Sequence, residues 1–107
     1  MADTQLRKGV LELIVLRSLH VSPGYGGALL ERLNAQGLEV SSGTVYPLLA
    51  RLKKAGYLTS RWEESPSGPP RKVYVVTDAG RTQLATLTAE WQTLTAIVDT
   101  ILKGQYP

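Results

Sequence analysis

Over residues 5–20, Leu6, Val10, Leu11, Leu13, Ile14, Val15, Leu16 and Leu19 fall on most sides of a helix. A helix that is apolar nearly all round is covered on more than one side, so this one is expected to touch its own domain and something beyond it. Ser22 and Pro23 make an N-cap and first-turn pair. They predict a second helix running to about Gln36, with Leu29, Leu30 and Leu33 inward and Gly37 as its stop. A third helix is predicted over about 43–55, its buried stripe Val45, Leu48, Leu49 and Leu52, closed by Gly56. The period then changes. YLTSRWEE (57–64) and RKVYVVT (71–77) are rich in Thr, Tyr, Trp and Val and read as strands. SPSGPP (65–70) between them reads as a long polar turn with a proline-stiffened tip. Thr77 and Asp78 open a last helix with a hydroxyl cap and an acidic first turn. Its Leu84, Leu87, Trp91, Leu94, Val98 and Ile101 alternate steps of three and four, which is heptad spacing, and Ile97 and Leu102 widen the stripe.

Helix, helix, helix, hairpin, helix is mainly α with a small β-hairpin. It is the layout of a winged helix-turn-helix, here over 1–77, followed by a C-terminal dimerisation helix over 78–107, the two forming a single compact unit. With 107 residues, 43% of them hydrophobic, the chain suits one domain. A core this modest gains stability from a partner subunit.

Charge and chemistry narrow the function. Twelve Lys and Arg against nine Asp and Glu give a net charge of +3. That balance permits a nucleic-acid partner without demanding one. The absence of Cys excludes disulfides and thiolate metal sites, and His20, the single histidine, has no second His or Cys with which to hold a transition metal. No metal or cofactor is expected. Ser41, Ser42 and Ser60 have no His or Lys placed by motif, and Glu63 and Glu64, adjacent on a strand, point apart, so an enzyme is not expected. Gly24, Gly26 and Gly27 do not complete G-x-G-x-x-G, because Leu29 holds the last position, and close helix packing is their expected use. Glu12 and Arg17 interrupt the N-terminal apolar run and no cleavage site follows, so it reads as a core helix and not as a signal peptide. No stretch approaches the roughly 18 apolar residues of a membrane span, and the expected location is the cytoplasm.

SSGTVYPLLARLKKAGYL (41–58) carries the functional signal. Pro47 lacks an N–H and clashes with the carbonyl four residues back, so the helix starts shortly before it, near Ser42 to Thr44. Hydroxyls then crowd an N-terminus whose unpaired N–H groups and dipole favour phosphate. With the leucines inward, Thr44, Pro47 and Arg51 turn outward, and Tyr46 lies near the boundary. A helix entering the major groove presents its N-terminal residues to base edges. Thr can hydrogen-bond a base or pack on a thymine methyl, and Arg can take guanine or phosphate. Taken singly, these residues read better as ordinary caps, Ser42 and Thr44, and a solvated basic face, Arg51, Lys53 and Lys54; the combination with the hairpin turns the reading toward DNA.

The segments LRKGVLELIVL, PGYGGALLERLN, SSGTVYPLLARLKKAGYL, SRWEESPSGPPRKVYVVTDAG and AEW, in this order and spacing, resemble the PadR family of transcriptional regulators. The resemblance covers nearly the whole chain. It implies a winged helix-turn-helix that dimerises through its last helix and binds double-stranded operator DNA as a repressor, often released by a small effector. Thr44 and Tyr46 match recognition-helix positions, and Arg71 and Lys72 match the basic pair of the wing. With Ser42, Arg51 and Lys54 they make up the expected DNA-binding set. Lys53 and Lys54 stand where the family often ends this helix with an acid, and Val73 and Val75 where it often has Tyr and Arg. Ending just after the dimer helix, the sequence looks like the family's short form. Trp91 has two readings. It is dimer core, or two Trp91 rings near a dyad sandwich a flat aromatic effector beside Leu13 and Leu94. The rival to DNA binding is a winged-helix module that docks proteins only.

Overall fold

The computed structural model describes residues 5–104. Its elements run α1 (Gln5–Lys8), α2 (Leu11–Val21), β1 (Gly24–Tyr25), α3 (Gly26–Ala35), α4 (Ser42–Lys54), β2 (Leu58–Ser65), β3 (Gly68–Val76) and α5 (Asp78–Leu102). The predicted order is present, with three corrections.

The first concerns residues 5–20, which form two helices and not one. The chain breaks at Gly9 and Val10, where Gly has poor helix propensity and Val10 leaves helical geometry (φ −111°, ψ 0°). The second concerns Ser22 and Pro23, which do not start a helix. Ser22 is extended (φ −151°, ψ 103°), as a residue before proline prefers, and it closes α2 by donating its N–H to the Ser18 carbonyl at 3.1 Å. Tyr25, also extended, stands at the N-cap position of α3. Gly24 and Tyr25 form a short strand that the sequence does not signal, pairing with Tyr74 and Val73. The third concerns the hairpin tip. The strands run through most of SPSGPP and leave only Pro66 and Ser67 as the turn. Proline's fixed φ suits extended backbone at an edge, so Pro69 and Pro70 continue β3.

The sheet is antiparallel with order β1-β3-β2. Leu58 lies opposite Val76, Ser60 opposite Tyr74 and Trp62 opposite Lys72, with an irregularity between Glu63 and Ser65. Leu58, Val76 and Tyr74 therefore share a face, and that face packs on the helices. The core joins Leu11, Val15, Leu16 and Leu19 of α2, Leu29 and Leu33 of α3, and Val45, Leu48, Leu49 and Leu52 of α4. Gly37 and Gly56 stop α3 and α4 as expected, each at positive φ (87° and 88°). Thr77 caps α5, its Oγ1 accepting from the Gly80 N–H at 3.0 Å and donating to the Gly56 carbonyl at 2.6 Å.

Only Gly80 and Leu84 of α5 are buried. At 25 residues the helix is about 37 Å long and outgrows the body. The radius of gyration is 15.9 Å, against roughly 13 Å for a compact chain of this length.

Candidate nucleic-acid interface

Two devices fix α4. Its apolar stripe anchors one side. At the turn before it, the Asn34 side chain accepts from the Val40 N–H at 2.7 Å and donates to the Val40 carbonyl at 3.1 Å. Asn34 thus locks α3 to the approach of α4, across a turn that includes Glu39 in the left-handed region (φ 57°). Ser41 holds the N-cap position, and its carbonyl accepts from the N–H groups of Thr44 and Val45 at 3.1 Å each. Ser42 is exposed, and Thr44 is half-buried with its Oγ1 3.3 Å from the Ser41 hydroxyl. Pro47 sits inside the first two turns.

Tyr46 is half-exposed and lies against Gly26 at the start of α3. A Cβ at Gly26 would stand 2.4 Å from the Tyr46 ring, so glycine lets the ring seat there. Of Gly24, Gly26 and Gly27, Gly26 is the one packed this closely, and it seats the Tyr46 ring of α4. Tyr46, Arg71 and Lys72 line one cleft of about 260 Å³ with Tyr25, Gly27 and Tyr74. The fold brings the N-terminal half of α4 beside the wing pair.

Arg71 and Lys72 leave the strand on opposite faces. The Arg71 guanidinium lies 4.5 Å from the centre of the Tyr25 ring, and the Lys72 ammonium 5.4 Å from that of Trp62. Cation–π contact of this kind holds a long side chain without neutralising it. Tyr25 and Trp62 are parts of this surface that sequence reasoning missed. Tyr25 was hidden by the unforeseen strand, and Trp62 was legible only through its cross-strand register with Lys72.

The other two basic residues of the set lie further along α4. Lys54, its last residue, is exposed. Arg51 does not extend freely outward. Its Nη2 lies 3.2 Å from Glu12 Oε1 of α2.

Leu13, Trp91 and Leu94, expected together, line one hollow of about 140 Å³ with Val10, Glu12 and Leu87. Ligand pockets usually run to about 300–1,000 Å³, so one subunit supplies at most part of one. A larger groove of about 710 Å³ lies elsewhere on α2, among Leu13, Ile14, Val21, Leu33 and Leu84. Arg32 lies at this groove, donating to the Ser18 carbonyl and hydroxyl at 2.8 Å and to the Ser22 carbonyl at 3.2 Å.

A helix seated on a locked turn, with its exposed nose beside a basic hairpin, defines a DNA-binding winged helix-turn-helix. A family model described as the transcriptional regulator PadR-like family matches residues 15–86, and the chain belongs to that family. Its members regulate transcription and are not enzymes. The chain is 33% identical to the transcriptional regulator Rv3488 of Mycobacterium tuberculosis (strain ATCC 25618 / H37Rv) over 94% of its own length and 91% of the relative's. It resembles the crystal structure of a PadR family regulator from Eggerthella lenta DSM 2243 (39% identity, TM-score 0.84, covering 92% of this chain and 86% of that one). A PadR-like regulator from Bacillus cereus strain ATCC 14579 is similar at 36% identity and a TM-score of 0.84, over 92% and 97% of the two chains. Among the described residues, no helix is long and apolar enough to cross a membrane.

Proposed function

We propose that the protein is a homodimeric repressor that reads a palindromic operator and responds to a small aromatic effector. The observation that carries the DNA-reading part is the cleft on which Tyr46 of α4 meets Arg71 and Lys72 of the wing. Ser42, Thr44 and Tyr46 read base edges from the N-terminal turns of α4. Arg71 and Lys72 hold phosphates beside the groove, and Lys54 and Arg51 add backbone attraction at the far end of α4.

Dimerisation is supported by the exposed stripe on α5. Trp91, Leu94, Ile97, Val98, Ile101 and Leu102 are all 41% exposed or more in the single chain. A contiguous apolar run of this kind marks an interaction surface. Pairing along it sets two α4 helices about a two-fold axis, one DNA turn of roughly 34–36 Å apart. The hollow at Trp91 then faces its copy near the axis, where two indoles offer flat faces to a planar ligand.

The test is selection of binding sites from a random duplex pool at moderate salt. The expected result is an inverted repeat with half-sites about one turn apart, bound with a steep salt dependence of slope near −0.9 per phosphate contacted. Weak binding that ignores sequence would overturn the reading in favour of a protein-docking winged helix.

A further inference from the structure

Glu12 lies on α2, between the Trp91 hollow and the recognition helix. Each of its carboxylate oxygens faces a different helix. Oε1 lies 3.2 Å from Arg51 Nη2 of α4, and Oε2 accepts from Gln83 Nε2 of α5 at 2.9 Å. The same side chain lines the hollow with Leu13, Trp91 and Leu94.

The Glu12 side chain is 21% exposed and that of Arg51 61%. An ion pair with one end so open to water adds little to folding stability. Its consequence is geometric. Asn34 fixes the chain just before α4, whereas Arg51 sits nine residues beyond Ser42, roughly 13 Å along the axis. The two ties hold the helix at both ends, and the second runs through Glu12, which lines the hollow together with Glu90.

We infer that Glu12 is a positioning residue for DNA reading: its carboxylate links the hollow beside Trp91 to α4 through Arg51, and to α5 through Gln83. The inference rests on the DNA-reading role proposed above for α4. A ligand or a partner helix that moves Glu12 changes the set of α4 against the wing. It shifts DNA affinity only as far as it favours one of the two settings over the other. Arg51 is then first a tie between helices, and its contact with DNA backbone follows from where that tie holds it.

Two measurements on the full chain test this. In a Trp62→Phe background the emission reports Trp91 alone, since the chain has two tryptophans. Arg51→Met is compared in the presence of Glu12 and of Glu12→Ala. Arg51 does not line the hollow, so its loss reaches Trp91 through Glu12. The expected result is a change in Trp91 emission with Glu12 present and none with Glu12→Ala. Equal changes in both backgrounds, or none in either, would overturn the link. Glu12→Gln, which keeps an acceptor oxygen and the side-chain shape, retains part of the response and covers the case in which Glu12→Ala folds poorly.

The second measurement is affinity for the selected duplex. Glu12→Ala and Gln83→Ala each weaken binding roughly three- to ten-fold, and the double variant loses less than the product of the two, as members of one network do. Effects that multiply independently and track the drop in melting temperature would reduce Glu12 to a packing role and overturn the inference. If the wild-type protein selects no sequence, the DNA-reading assignment fails, and the emission cycle decides the Glu12 link by itself.

Discussion

In α4, Val45, Leu48, Leu49 and Leu52 are all buried; in α5, Leu94, Ile97, Val98 and Ile101 have the same helical spacing and stay 41–51% exposed. The two stripes are alike in sequence and opposite in fate. α4 lies in the core cluster with residues of α2, α3 and β2, whereas α5 leaves that cluster after its first turns. Periodicity therefore tells which face seeks cover but not whose atoms supply it. The α4 stripe completes the chain's own core, and the α5 stripe supports a second copy as its cover.

The widest separation of the two stripes comes from truncating one and charging the other. Leu49 is fully buried, and Leu49→Ala is expected to cost roughly 2–5 kcal/mol, read as a lower denaturant midpoint. Ile101→Glu puts a charge on the α5 stripe. It is expected to leave helix content nearly unchanged and to weaken self-association by roughly a hundred-fold, because a charge buried without a partner is strongly disfavoured. Sedimentation over a range of concentrations measures it. An Ile101→Glu protein that sediments as wild type would show that the exposed half of α5 is not the pairing surface.

How much was legible follows the same division. The stripes, the Gly37 and Gly56 stops and the Thr77 cap were plain because each is a local signal, fixed within one turn of helix. Leu13, Trp91 and Leu94, named together as an effector site, do line one concavity. Long-range pairings were not legible. β1 is two residues long and owes its existence to β3, some fifty positions away. Pro23 looked like a helix start because its fixed φ suits a first helical turn as well as an extended segment. The Glu12–Arg51 pair joins residues 39 apart, and no spacing rule announces it. On the surface formed by α4 and the hairpin, the types of residue were expected, while Tyr25 and Trp62, which lie against Arg71 and Lys72, came only with the sheet register.

A third substitution tests whether the nose of α4 is set by its neighbour or by its own stripe. Gly26→Ala places a methyl group where the Tyr46 ring lies. Overpacking at such a site costs roughly 1–3 kcal/mol, less here to the extent that the half-exposed ring swings away. Binding to the selected duplex is expected to fall more than stability does, since the ring that moves is one of those assigned to bases. Tyr46→Ala gives the control: sequence preference blunts, while the core beneath, built on Val45 and Leu49, stays in place. If Gly26→Ala lowers the melting temperature and leaves sequence preference intact, Tyr46 is packing and not reading.

The smallest effect concerns the wing, where a large apolar side chain is exposed without belonging to any stripe. Trp62 is 69% exposed, and its ring carries the Lys72 ammonium at 5.4 Å. Isolated exposed aromatics need no partner, so Trp62→Ala is expected to cost no more stability than the ring's own contact with Lys72 supplies. An exposed cation–π contact is worth about 0.5–1 kcal/mol, and its loss sets Lys72 free to sample other rotamers. Lys72 keeps its charge in that variant, so the salt slope of DNA binding stays as in wild type while affinity drops about two- to five-fold from the cost of ordering the lysine. Lys72→Ala instead lowers the slope by about 0.9, one phosphate's share. A Trp62→Ala protein whose slope falls as far as that of Lys72→Ala would show that the indole helps to make the phosphate contact, and that exposure on this hairpin serves DNA.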